Sequence, residues 1–235
     1  MQLAAGAVVP HAPLLLPEVA GRDVAPAVTS AARELRLGEA DAVVLASPHG
    51  ASTGVYAKPA GSLDAFGPRG IAAAAPTDEE LLRTLADAWG PPVLDAPADH
   101  GIVVPLRLLG GVTAPVIAVT FAEATDGLVE GAALAAALAD LDATVAFVAS
   151  AHTSAGLTEH APLPSLPGAV AAERAALDAL MTDPRLLPDR LPALAAAGSC
   201  ASGPLAALAF VLGERPCELR AYEHPFGVGY AVAVS

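Results

Sequence analysis

The stretch DAVVLASPHG, residues 41–50, is an apolar run that ends at a proline, a histidine and a glycine. The same pattern occurs at residues 3–11, where LAAGAVVPH ends at His11, and at residues 144–152, where TVAFVASAH ends at His152. Short apolar runs rich in Val and bounded by turn residues are typical of buried strands. Because segments rich in Ala and Leu with helical character separate these runs, the sequence predicts βαβ units around a largely parallel sheet.

Further elements can be placed along the whole chain. We predict strands at residues 3–9, 41–46, 115–120 and 144–150, and a closing hairpin of residues 217–222 and 229–234. Helices are expected at residues 24–36, 77–88, 126–140, 169–181, 189–197 and 204–213. Thr77 followed by Glu80 is a capping-box pattern, and Asp126 is a suitable N-cap. Residues 51–76 are expected to be an irregular excursion over one face, and residues 162–167 a proline-rich loop.

The composition limits the classes of protein to which this chain can belong. Its 235 residues fit one large α/β domain with a core of Ala, Val and Leu, because 54% of the residues are hydrophobic and only 4% are aromatic. The net charge of −13 argues against nucleic-acid binding and against an anionic membrane surface, since both need clustered positive charge. The longest apolar stretches, residues 132–139 and 205–212, are shorter than the ~20 residues of a membrane span.

The amino terminus and the cysteines indicate the compartment. No charged segment precedes the first apolar run, so we expect no secretory signal peptide and a cytoplasmic protein. Cys200 and Cys217 lie in different predicted elements, and a cytosolic protein of this size has little need of a disulfide. Both are therefore expected to be thiols.

Five of the six histidines lie at the end of a predicted strand or in a loop next to one. In an open α/β sheet such ends face one crevice, so the side chains of His11, His49 and His152 are expected to converge. Imidazoles from neighbouring strands can offer adjacent coordination positions to Fe(II), Zn or Cu. For each residue alone, the alternative is a loop histidine bonded to a backbone carbonyl. For the group, the pattern favours a metal or acid/base site.

Two further residues are candidates for the same crevice. His100 follows Asp99 in ADHGIVVPL, and a carboxylate or carbonyl bonded to one ring nitrogen would fix its tautomer. Cys200 lies in the turn AAGSCASGPL before a predicted helix, where a lowered thiol pKa would favour a metal-binding thiolate. A buried, inert cysteine is the open alternative. His160 and His224 are interpreted mainly as surface loop histidines.

The motifs around these residues resemble one family. PHAPLLLPEV with His11, SPHG with His49, DHGIVVPL with His100 and SAHTSAG with His152 occur in the order found in the class III extradiol ring-cleavage dioxygenase (LigB-like) superfamily. The final YEHPFGVGYAVA is similar to the carboxyl end of its small bacterial members. CASGPLAALAFVLG, which begins at Cys200, is similar to the C-G-x-x-P segment of the Memo-like branch, although Ala201 stands where that segment has glycine.

The resemblance implies a three-layer αβα sandwich around a mostly parallel or mixed sheet, formed by a single domain of residues 1–235, with a metal site at one sheet edge. It assigns His11 and His49 to the metal, His152 to acid/base catalysis, and His100 to a place near the substrate or behind the ligands. The third ligand is a glutamate in the oxygenases, whereas Cys200 matches the Memo-like pattern. The carboxylates considered for the glutamate position are Glu123, Glu173 and Glu223.

Two functions follow from the resemblance. The first is a non-haem Fe(II) dioxygenase that cleaves the ring of a small catechol-type aromatic. The second is a Memo-like protein that handles copper or iron with little or no ring cleavage, because a thiolate from Cys200 shifts the preference of the site toward Zn or Cu(I). A third function, a zinc hydrolase, needs only the same histidines and a bound water. The substrate, the metal and the oligomeric state, including a homo-oligomer, stay open.

Overall fold

The computed structural model describes residues 1–123, 125–163 and 165–235. Within these ranges, eight strands form one mixed sheet at the centre and two short strands pair separately. The strands are β1 (Gln2–Val9), β2 (Ala42–Gly50), β3 (Gly54–Tyr56), β4 (Ala60–Ser62), β5 (Ala72–Ala74), β6 (Val93–Leu94), β7 (Val116–Ala122), β8 (Thr144–Ser150), β9 (Glu218–Glu223) and β10 (Tyr230–Val234). The separate pair is β4 with β5.

The order of strands in the central sheet is β6-β3-β7-β2-β8-β1-β10-β9. The four middle strands, β7, β2, β8 and β1, are parallel. At one side β10 runs antiparallel to β1, and β9 antiparallel to β10, so the predicted closing hairpin forms this edge of the sheet. Because the middle strands are parallel, the carboxyl ends of β2, β8 and β1 lie next to one another.

Helices cover both faces of the sheet. They are α1 (Pro17–Ala20), α2 (Pro26–Glu34), α3 (Glu79–Trp89), α4 (His100–Leu108), α5 (Gly127–Ala139), α6 (Ala169–Thr182), α7 (Leu191–Ala196) and α8 (Ser202–Leu212). One core joins the sheet to α3, α5, α6, α7 and α8, and a second core joins it to α2 and α4. Along β2, Val44 belongs to the first core and Val43 and Leu45 to the second, as strand alternation requires. The predicted three-layer αβα sandwich is confirmed.

Two local predictions about the fold are wrong. The capping box at Thr77 is not formed, because α3 begins at Glu79 and the Asp78 carboxylate accepts hydrogen bonds from two amides of the first turn. A charged acceptor at that position also interacts favourably with the positive end of the helix dipole. Residues 51–76 are more regular than expected, since they contain β3, β4 and β5. The N-cap predicted at Asp126 is confirmed.

Two other predictions concern the proline-rich loop and the absence of a membrane-spanning helix. The proline-rich loop predicted at residues 162–167 includes Pro164, which lies outside the described residues. In the part of the chain that is described, we find no helix with both the length and the apolar character needed to cross a lipid bilayer.

Candidate metal centre

Three histidines lie at the carboxyl ends of neighbouring parallel strands. His49 is the penultimate residue of β2, whereas His11 and His152 each lie two residues beyond the ends of β1 and β8. Because β8 lies between β2 and β1 in the sheet, the three side chains emerge side by side. The convergence expected from the strand ends is therefore present.

Ring nitrogens of His49 and His152 each approach His11 Nε2, and a cysteine sulfur joins them. His11 Nε2 lies 3.0 Å from His49 Nε2 and 3.2 Å from His152 Nδ1. Cys200, in the loop between α7 and α8, places its Sγ 3.5 Å from His11 Nε2, 3.5 Å from His49 Nε2 and 3.6 Å from His152 Nδ1. We call these four side chains the His₃Cys cluster.

Five of the six distances between the donor atoms of the His₃Cys cluster are 3.0–3.6 Å, close to the spacing of ligands around one metal ion. With metal to nitrogen bonds of about 2.0–2.1 Å and a metal to sulfur bond of about 2.3 Å, nitrogen atoms would be about 3.3–3.4 Å apart and nitrogen and sulfur about 3.5–3.6 Å apart. The three measured sulfur to nitrogen distances agree with this, and the two measured nitrogen to nitrogen distances are slightly shorter. The possible ligands form two overlapping groups, each compact enough to hold one ion: His11 with His152 and Cys200, and His11 with His49 and His100. The first group offers nitrogen and sulfur donors, and the second offers nitrogen alone.

The outward nitrogens of two of these rings are held by neighbours, which sets the direction of the inward lone pairs. His152 Nε2 lies 3.1 Å from the Gly198 carbonyl oxygen, so Nε2 carries the proton and donates, leaving Nδ1 as the free lone pair. His11 Nδ1 lies 3.0 Å from the Ser150 hydroxyl, which leaves Nε2 directed at the cluster. Such outer hydrogen bonds fix the tautomer of a metal-ligating histidine.

The protonation states in the cluster follow from its burial. Burial, and then the neighbouring histidines, lower the pKa of His11 well below its ordinary value. Burial also lowers the pKa of His49 and of His152. It raises the pKa of the Cys200 thiol to about 12. At neutral pH the imidazoles are therefore neutral and ready to act as ligands, whereas the thiol must lose a proton before it can bind an ion.

His100 lies beside the cluster, as the first residue of α4. Its ring stacks on the His49 ring with the centroids 4.2 Å apart, and the centroids of the Phe66 and His100 rings are 4.8 Å apart. Burial and the charge of a protonated His49 lower the pKa of His100 to about 4. Because Phe66 is 46% exposed, the aromatic rings of His100 and Phe66 lie between the cluster and solvent.

Asp99 has a role that the sequence did not reveal. Rather than orienting the His100 ring, its carboxylate accepts hydrogen bonds from Ser47 Oγ at 2.6 Å, from the Tyr56 hydroxyl at 2.8 Å and from the Gly101 amide at 2.7 Å. The Ser47 hydroxyl in turn accepts from the backbone amide of His49 at 3.2 Å. Asp99 therefore ties the end of β2 to the start of α4. Its position as an N-cap before the helix was the available sequence signal.

The remaining candidates from the sequence lie outside the cluster. Glu123 approaches only the outward Nδ1 of His49, at 3.7 Å. Glu173 is bonded to Thr153 and Tyr222, and Glu223 accepts from the backbone amide of Val28. His160 and His224 are exposed. Cys217 is buried next to Gly6, at the start of the closing hairpin.

The fold and the cluster together define the class of protein: an αβα sandwich with a candidate metal centre of histidine and cysteine at the carboxyl edge of its parallel strands. Within that class, residues 5–233 match the family described as "Catalytic LigB subunit of aromatic ring-opening dioxygenase", and the chain belongs to this family. The family resemblance seen in the sequence is confirmed.

A solved structure has the same fold. The crystal structure of the uncharacterized protein JW3007 from Escherichia coli K12 is similar with a TM-score of 0.61 and 18% sequence identity, covering 98% of this chain and 99% of that one. At this identity the similarity concerns the fold alone. A comparison with curated proteins gave no match.

Proposed function

We propose that the chain, as one domain of residues 1–235, is a metal-dependent dioxygenase that opens the ring of a small catechol-type aromatic. The observation that carries the proposal is the meeting of three imidazole nitrogens, with His11 Nε2 3.0 Å from His49 Nε2 and 3.2 Å from His152 Nδ1. Membership of the ring-opening dioxygenase family supports the reaction class.

The proposed ligands are His11, His49 and Cys200. Two of them come from strand ends and the third from the loop before α8, so the site depends on the packing of that loop against the sheet. An ion held there supplies the redox chemistry of ring opening when it is bound. Fe(II) is the ion proposed for this activity, and Zn or Cu are alternatives because a thiolate is a soft ligand.

His152 is proposed to move the substrate proton. Since its Nε2–H is held by the Gly198 carbonyl, Nδ1 is the atom that accepts the proton of a catechol hydroxyl. The lowered pKa of this imidazole means that it readily gives the proton up again. His100 is proposed to position the substrate ring together with Phe66, because flat aromatic surfaces pack well against one another.

Cys200 supports a second candidate function, metal binding with little or no ring cleavage. Its Sγ lies within 3.6 Å of all three nitrogens, and His11, His152 and Cys200 form one compact group of possible ligands. A metal site whose positions are all filled by protein ligands is typical of structural metal and keeps none open for a substrate. In that case the protein would act like the Memo-like branch, and His152 would be a ligand.

Oxygen uptake after anaerobic loading with Fe(II) separates the two functions. With catechol, protocatechuate or caffeate as substrate, ring opening predicts that O₂ is consumed in proportion to the catechol lost. The variant His152→Ala should lower this rate by about 10²–10⁴-fold, whereas His160→Ala, at an exposed histidine, is the matched control. If the metal-loaded protein consumes no O₂ with any of these catechols, the dioxygenase proposal fails.

A further inference from the structure

We propose a second ligand site, in the groove between α6 and β9, for a small molecule with an apolar body and a cationic head. The groove is separate from the His₃Cys cluster, since none of the four cluster side chains lines it. The proposal does not depend on the reaction proposed above.

The walls of the groove are mostly apolar. It has a volume of about 390 Å³, within the range of about 300–1,000 Å³ that is usual for small-molecule pockets. Val170, Leu177 and Met181 follow one another along one stripe of α6, and Leu157 faces them from the loop after β8. An apolar body of the size of one aromatic ring and a short chain therefore fits the groove.

A buried carboxylate lines the same groove. Glu173 is only 5% exposed, and its two oxygens accept hydrogen bonds from the Thr153 hydroxyl and, at 2.5 Å, from the Tyr222 hydroxyl. Both donors are neutral. Among the described residues, no lysine or arginine nitrogen lies within 4.0 Å of this carboxylate.

The lack of a cationic partner is what defines the proposed ligand. A buried carboxylate is costly unless it is paired with a positive charge as well as hydrogen-bonded. Oε1 of Glu173 is bonded to Thr153 and lies against Gly229, whereas Oε2 accepts one side-chain hydrogen bond, from Tyr222, and retains capacity to accept another. An ammonium or amidinium group at the end of an apolar ligand would supply both the charge and the donors.

The other charged groups of the groove lie at its rim. Arg174 and Asp178 are exposed, and their opposite charges offset each other. His224 is also exposed. The electrostatic preference of the deep part of the groove is therefore set by Glu173, and a cation is preferred over an anion of the same shape.

Nuclear magnetic resonance titration with three probes of similar shape tests this proposal: benzylammonium, benzyl alcohol and benzoate. In the wild-type protein, benzylammonium should bind about tenfold or more tightly than benzyl alcohol, because hydrogen bonds to charged groups are the strong ones. Benzoate should bind more weakly than either. The amide resonances of Leu177, Met181 and Tyr222 should shift on binding.

Two variants and a control make the test specific. Glu173→Gln keeps the shape of the side chain and should reduce the preference for the ammonium to less than about twofold. Asp189→Asn, at an exposed carboxylate outside the groove, should leave the preference unchanged. Should Glu173→Gln fail to fold, Val170→Trp narrows the groove at a side chain that is 64% exposed, and it should weaken binding of all three probes. Equal binding of benzylammonium and benzyl alcohol to the wild-type protein would overturn the proposal. So would shifts confined to the His₃Cys cluster.

Discussion

Metal binding should release one proton, and that proton should come from Cys200. The thiol has a pKa raised to about 12 by burial, so it is protonated at neutral pH and must ionise to become a ligand. The histidines of the cluster have lowered pKa values and are already neutral above pH 7, so they release none. The expected stoichiometry is therefore about one proton per ion.

The sign and size of the pH dependence follow from this count. Ionising the thiol costs about 1.36 kcal/mol more for each pH unit below its pKa, so the affinity for the ion rises with pH. Between pH 7.0 and pH 8.5 this amounts to about 2 kcal/mol, or about a 30-fold decrease in the dissociation constant. The affinity for the ion should keep rising with pH until the pH reaches the pKa of the thiol.

Calorimetric titration with Zn²⁺ in buffers of different ionisation enthalpy measures the proton count directly. The wild-type protein should release about one proton, and Cys200→Ala about none. Cys217→Ala is the matched control, because the Cys217 thiol also has a pKa raised to about 12 by burial but lies outside the cluster. A wild-type count near zero would refute thiolate ligation. An unchanged count in Cys200→Ala would instead assign the proton to a metal-bound water.

Three other perturbations have expected outcomes. The variant His11→Ala should lose most of the bound metal, whereas His152→Ala should retain it, as measured by elemental analysis of the purified proteins. Equal loss of metal from both variants would make His152 a ligand. Asp99→Asn should lower metal affinity by about 10–100-fold although Asp99 is not itself a proposed ligand, because it loosens the end of β2 with His49 and the start of α4 with His100. An unchanged affinity, measured in competition with a chelator, would contradict this. Leu134→Ala, at a fully buried position, should cost about 2–5 kcal/mol of unfolding free energy in urea. A smaller loss would mean that the core between α5 and the sheet closes around the cavity.

The strands that position the candidate metal centre could be predicted from the local sequence pattern. The strand predicted at residues 144–150 has the same bounds as β8, because a short Val-rich run between polar turns has few alternatives to a buried strand. The two-residue strand β6 was missed, since a strand of that length has no periodicity of its own. The cap at Asp78 was misplaced by one residue because Thr77 and Asp78 are both suitable capping residues.

The sequence pattern predicted an α/β chain with His11, His49 and His152 at strand ends, because strand periodicity and parallel connection are local properties. The three-dimensional packing set the order of these strands in the sheet and the other groups that join the histidines. Cys200 is 189 residues from His11 and 151 from His49 in sequence, and it reaches them through the packing of the loop before α8 on the sheet. The bonds of Asp99 to Ser47 and Tyr56, and of Glu173 to Thr153 and Tyr222, likewise join distant elements. Such contacts depend on side-chain packing in three dimensions, which no local pattern specifies.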